Sequence, residues 1–165
     1  MGIPSDVVSQ LEAMPDLLER CFRLVPPEFA RWLPESWDGA PGEKFSALGQ
    51  ICHVRDIETD GYRVRFRRTL EEEVPFLPSV DGDRLAVERG YDAASGAQVL
   101  AQFREARAQT VAMLRAVQPA QAERRAVFEG YGDVTLTGLA HYLCSHDQQH
   151  LACLHWLLGK IRSLS

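Results

Sequence analysis

The chain has no apolar run approaching the ~20 residues that cross a bilayer, so the sequence predicts no membrane-spanning helix. It has no basic excess either: the net charge is −5 over 165 residues. A nucleic-acid partner ordinarily calls for a basic imbalance, so none is expected. The one local basic cluster, Arg63, Arg65, Arg67 and Arg68, is followed at once by Glu71, Glu72 and Glu73 and reads as a solvated helix face. None of the four cysteines, Cys21, Cys52, Cys144 and Cys153, forms a Cys-x-x-Cys pair. In a reducing compartment they read as small buried thiols. Met1 to Gln10 lack the basic-then-apolar order of a signal peptide, and a cytoplasmic location is expected. No histidine has a glutamate three residues before it, which excludes the Glu-x-x-His pattern of di-iron carboxylate bundles. Internal repeats and low-complexity tracts are also lacking.

What the chain does have is helical periodicity. Val7, Val8, Leu11, Met14, Leu17, Leu18, Cys21, Phe22 and Val25 recur at spacings of three and four, which predicts a first helix over Ser5 to Val25. Ser5 is the expected N-cap, and Pro15 predicts a kink or a split start. A short helical turn is expected at Phe29 to Leu33, then a Gly/Pro loop from Pro34 to Glu43. A second helix is predicted from about Lys44 to Glu72 and a third over Ser95 to Val117. The connection Val74 to Tyr91 between them is long, with room for a short helix at Asp81 to Arg89. Such lengths are uncommon unless they cross a bundle end or cover a site. Arg124 to Val134 is the only strand-like stretch, a small hairpin or extended loop. The fourth helix starts near Thr135 or Thr137, either of which can cap it, and runs to about Arg162. Four long helices without a convincing sheet predict an all-α fold, a single-domain four-helix bundle over 1–165. The crossover between its second and third helices is long enough to join parallel neighbours.

The fourth helix carries His146-Asp147-Gln148-Gln149-His150. Two histidines four residues apart project roughly 40° apart on one helix face, so their imidazoles can converge on one point. That is half of a transition-metal site, or else two histidines that never meet a metal. His141 and His155 point roughly 160° away from that face and cannot join the pair within one chain. His53, mid-helix between Cys52 and Val54, is either a core histidine with its hydrogen bond satisfied or a third ligand from a facing helix. Three imidazoles would leave a coordination position open for water or substrate. A zincin protease is not expected, because Asp147 replaces the motif's glutamate and no suitable third ligand lies downstream. Asp147 is about 80° off the metal face and suits a supporting or surface role. Cys153 projects on the His146/His150 side, as a core thiol or an approaching thiolate. Asp60, seven residues after His53, is read as a helix-end salt bridge or a substrate contact. No general base is apparent.

The order of these motifs carries a resemblance. A first helix and Gly/Pro loop lead to Phe45-Ser46-Ala47-Leu48-Gly49-Gln50-Ile51-Cys52-His53; much later come Gly132-Asp133-Val134-Thr135-Leu136 and the His146-to-His150 stretch. Over nearly its whole length the chain resembles the DinB-like superfamily of bacterial four-helix proteins. The resemblance implies that His53, His146 and His150 bind a divalent metal, zinc or nickel, and that the protein forms homodimers. Characterised relatives include transferases and isomerases that use low-molecular-weight thiols. Two functions are therefore carried forward. One is a metal-dependent enzyme acting on a small-molecule substrate by thiol-dependent S-transfer or metal-assisted hydrolysis. The other is a non-catalytic dimeric binding or stress-response module whose metal is structural or vestigial, which a fourth protein ligand would favour.

Overall fold

The apolar stripe of the first helix is the simplest place to see why the chain folds as it does. In the computed structural model, which describes residues 2–164, α1 (Ser5–Arg23) buries Val7, Leu11, Met14, Leu18 and Cys21 along one face. The expected domain limits, 1 and 165, lie outside the described residues. Pro4, not Ser5, occupies the N-cap position, and no side chain caps this end. Pro15 neither splits nor ends α1. A mid-helix proline removes the N–H that would bond the carbonyl four residues earlier. That carbonyl, Leu11 O, accepts instead from Arg107 Nη1 at 3.0 Å.

A short 3-10 turn, Pro27–Phe29, stands where a helical turn was expected slightly later. The second helix begins at Ala47 rather than Lys44, because Ser46 caps it by accepting from Gly49 N at 3.1 Å. It runs as α2 (Ala47–Asp56), a π-helical segment (Ile57–Tyr62) and α3 (Arg63–Glu71). Helix α4 (Gly82–Glu88) fills the long connection, followed by a 3-10 turn at Tyr91–Ala93. Then come α5 (Gly96–Arg115), the one-turn α6 (Pro119–Ala122) and α7 (Leu136–Arg162), capped by Thr135 accepting from Gly138 N at 3.0 Å.

The bundle is made of α1, the α2–α3 rod, α5 and α7. Helix α1 packs on α5 and α7, and α2 packs on the same two. The first two helices are therefore diagonal, not adjacent. Arg55 bonds Gln102 and Arg63 bonds Gln109, so the α2–α3 rod and α5 run parallel. The long connection makes that possible.

The chain is not free of sheet. β2 (Arg125–Phe128) and β3 (Gly132–Thr135) form the expected hairpin, and β1 (Phe76–Leu77) adds to β2 in parallel. A two-residue strand inside a Pro-rich connection carries too little periodicity to be read from sequence. The core falls into two clusters. One, around Leu11, Phe66, Leu114 and Leu139, lies at the sheet end. The other, around Leu18, Leu48, Ile51 and Phe103, lies at the opposite end. Among the described residues no helix is long and apolar enough to cross a membrane.

Candidate metal centre

Helices α2 and α7 meet in antiparallel register, with His53 opposite His146 and Gln50 opposite His150. All three histidines turn Nε2 towards one point. The Nε2 atoms of His53 and His146 are 3.4 Å apart, and those of His146 and His150 are 3.1 Å apart. A fourth group joins them: Glu43 Oε2 lies 2.9 Å from His53 Nε2 and 3.2 Å from His150 Nε2. One ligand atom from each of these four residues lies within 4.8 Å of all the others. Ligand atoms held 2.0–2.1 Å from a tetrahedral metal sit about 3.3 Å from one another. The four separations given, 2.9 to 3.4 Å, lie close to that edge.

The donor chemistry fits a cation as well as the spacing does. His150 is buried, and its Nδ1–H donates to Gln50 Oε1 at 2.5 Å, which leaves Nε2 as the lone-pair atom facing the cluster. Gln50 is itself fully buried and cannot flip. Its amide nitrogen donates to Glu43 O at 2.8 Å, Phe45 O at 3.2 Å and Cys153 Sγ at 3.2 Å. Burial pushes the His146 pKa well below its ordinary value, reinforced by the His150 and His53 charges, and burial lowers that of His150 too. Both are thus held neutral, the state that binds metal. Burial works to raise the Glu43 pKa, but the His150 and His53 rings beside it outweigh that and hold it far below the usual carboxylate range. Nδ1 of His53 and Nδ1 of His146 are buried without a hydrogen-bond partner among the described residues. Three imidazole lone pairs and a carboxylate converging without an adequate supply of donors repel one another, and a divalent cation reverses that.

The surroundings fix the rings. Phe45 stacks on His53 with centroids 5.2 Å apart, and Tyr62 lies 6.0 Å from His146. Helix α4 closes over His53: a Cβ on Gly82 would stand 2.6 Å from His53 Cε1 and 2.8 Å from Nδ1. The segment holding Gly82 is tied down by buried Asp56, which takes Tyr91 Oη at 2.8 Å and Arg89 Nη1 at 2.8 Å. The Val74 to Tyr91 connection thus covers the site, as its length suggested.

Several sequence expectations change here. Asp60 is not among the residues of the cluster. It is 43% exposed and forms the salt bridge that was one of its two readings, with Arg89 Nη2 at 2.5 Å. Asp147 supports no ligand directly. It is buried and accepts from Arg107 Nη1 at 2.7 Å and Nη2 at 3.0 Å, while Nη2 also reaches Glu58 at 2.8 Å. Cys153 stays outside the cluster as a buried thiol, its pKa pushed up to about 11 by burial. Arg65, read as part of a solvated face, is only 5% exposed. His141 and His155 are exposed and apart from the site, as expected. Sequence reasoning missed Glu43 and Gln50. Glu43 sits in a loop, where no periodicity marks the direction of a side chain. Gln50 stands three residues before His53, and that spacing was its only signal.

The comparisons with known proteins agree with this architecture. The family model of the DinB superfamily matches residues 10–154. No curated protein sequence matches the chain. Among solved structures, YfiT from Bacillus subtilis superposes with a TM-score of 0.82 at 20% identity, covering 94% of this chain and 86% of that one. YfiT is described as a probable metal-dependent hydrolase with an unusual four-helix bundle topology. At that identity the likeness establishes the fold, including a bundle that departs from simple up-down order. With the family match spanning nearly the whole bundle, the chain belongs to the DinB superfamily.

Proposed function

We propose that the protein is a divalent-metal-dependent hydrolase acting on a small-molecule substrate, with His53, His146 and His150 as metal ligands. One observation carries the reading: three Nε2 atoms and Glu43 Oε2 converge at tetrahedral spacing, with the His150 tautomer already set by Gln50. When bound there, a divalent cation supplies Lewis acidity and lowers the pKa of a water or thiol in its open position.

The chain's own residues supply the rest. Gln50 orients His150, and Gly82 and Phe45 hold the His53 ring. Glu43 is the general base. Its side chain is 43% exposed and stands on a loop, so it can leave the histidines, take a proton from a nucleophile and pass it to a leaving group. The description of YfiT as a metal-dependent hydrolase supports the same reaction class. The family resemblance supports zinc or nickel, homodimerisation and S-transfer from a small thiol as the related activity at the same centre.

Glu43 also favours a second reading. As a permanent fourth ligand it would close the tetrahedron and make the metal structural. Glu43→Gln separates the two. The experiment is metal analysis and zinc titration of untagged wild type, Glu43→Gln and the His53→Ala/His146→Ala/His150→Ala variant, with ester, amide and thiol-transfer assays alongside. About one metal per chain, lost in the triple variant and retained in an inactive Glu43→Gln, supports the enzyme. Metal affinity that collapses in Glu43→Gln, with no turnover in any protein, supports the structural metal. A wild type that takes up neither zinc nor nickel overturns both.

A further inference from the structure

Arg65 lies 95% out of solvent on α3, yet no carboxylate pairs with it among the described residues. A guanidinium carries five N–H donors. Among the described residues the only acceptor is Pro78 O, 3.3 Å from Nη2, and Nε is buried without a partner. The other buried arginine, Arg107, has two carboxylates and a carbonyl. A buried charge without a counter-ion is costly, and its donors call for acceptors.

The position of Arg65 suits a ligand that reaches the histidine centre. Its Cζ stands 4.9 Å from the Tyr62 ring centroid and 4.4 Å from that of Phe128. These faces offset part of the desolvation but accept no N–H in the guanidinium plane. Tyr62 also packs against His146 at 6.0 Å, so Arg65 and the cluster are separated by one aromatic side chain. On the other side Tyr131 stacks flat on Phe128 at 4.4 Å and is 53% exposed, so the aromatic column runs from the guanidinium to the surface. Gly61 supplies clearance: a Cβ there would come within 3.0 Å of Arg65 Nη1.

We propose that Arg65 is the anchor for a carboxylate group of the substrate, in an aromatic-walled subsite formed by Tyr62, Phe128 and Tyr131 beside the three-histidine centre. The substrate class is then a small carboxylic acid with an apolar or aromatic body. The planar fork of the guanidinium matches a carboxylate. A phosphate dianion fits less well, because Arg65 is the only cation among the aromatic groups named. This inference rests on the metal-centre reading for its catalytic meaning but is tested independently of it.

The test uses metal-free protein, so that no added anion can ligate a metal. Benzoate, benzamide and phenyl phosphate are titrated by ligand-observed NMR into wild type, Arg65→Met and Arg65→Lys, with thermal shift alongside and zinc stoichiometry measured on separate aliquots. Wild type is expected to bind benzoate at least tenfold more tightly than benzamide. Arg65→Met is expected to lose that preference at unchanged zinc stoichiometry, and Arg65→Lys to keep part of it. Arg65→Met leaves no unpaired carboxylate behind and should fold; if it does not, the partial preference in Arg65→Lys carries the test. Equal binding of benzoate and benzamide to wild type overturns the proposal. So does a benzoate preference that survives in Arg65→Met, or tighter binding of phenyl phosphate than of benzoate. A merely structural Arg65 would lower the melting temperature on substitution without moving the benzoate-to-benzamide ratio. Should wild type bind no zinc yet discriminate benzoate, the metalloenzyme reading falls and the carboxylate site stands.

Discussion

Gln50→Leu tests the proposed metal centre from outside the set of proposed ligands. Gln50 touches the cluster only through His150, yet it makes four hydrogen bonds that leucine cannot. The substitution leaves His150 Nδ1–H and Phe45 O buried and unpaired, while Glu43 O, at a part-buried position, recovers water. Each buried group left unpaired costs about 1–3 kcal/mol, so the two should cost metal-free protein about 2–6 kcal/mol of stability. Losing the partner that orients a ligating histidine typically weakens metal binding about 10–100-fold, or about 1.4–2.8 kcal/mol. Urea unfolding of metal-free protein followed by circular dichroism reads the first number. Zinc competition against a chromophoric chelator reads the second. Gln50→Glu is the informative control. Its carboxylate still accepts from His150 Nδ1, but its donors to Phe45 O and Glu43 O are gone. It should therefore keep zinc affinity while losing stability. A folded Gln50→Leu that binds zinc within about threefold of wild type would refute the claim that Gln50 sets the His150 tautomer.

Three further outcomes follow from the same geometry. Gly82→Ala drives a Cβ to 2.6 Å from the buried His53 ring; it should cost about 1–3 kcal/mol of stability by overpacking and about tenfold in zinc affinity, and unchanged affinity would mean that α4 yields instead of His53. Arg107→Met strands two carboxylates and Leu11 O, so urea unfolding should show a loss of about 3–5 kcal/mol. Pro15→Ala restores an N–H for Leu11 O, so the double variant Pro15→Ala/Arg107→Met should recover part of that loss, and strict additivity would refute the link between proline and arginine. Burial holds the Cys52, Cys144 and Cys153 pKa values near 11 and raises that of Cys21. The native protein at pH 7.5 should therefore react slowly with an aromatic disulfide reagent, faster by about tenfold per pH unit as the thiolate fraction grows; a fast-reacting thiol at neutral pH would contradict the burial described.

The helices, their faces and the two-histidine motif were legible because α-helical periodicity is a local property. Val7, Leu11, Met14 and Leu18 repeat at the helix period, and His146 and His150 share a face for the same reason. The cap at Thr135 is equally local, while the Ser46 cap was not read and the second helix was begun near Lys44 instead of Ala47. For Asp60 the salt-bridge reading is met by Arg89, whereas placing it on the His53 face by counting 100° per residue presumes an unbroken α-helix, which the π segment interrupts. Arg65 failed for another reason: a charged residue in a charged run looks solvated until β2 and β3 are folded against it.

By itself, then, the sequence determined the helical bundle, its long crossover, and which histidines can face one another, since each of these depends on neighbours within a few turns. Tertiary structure alone decided which groups complete the site. Glu43 arrives on a loop, Gln50 faces α7 across a helix interface, Gly82 comes from the crossover, and Arg107 takes the carbonyl that Pro15 leaves free. Those meetings depend on distances through space between residues up to about a hundred positions apart, which local spacing does not encode.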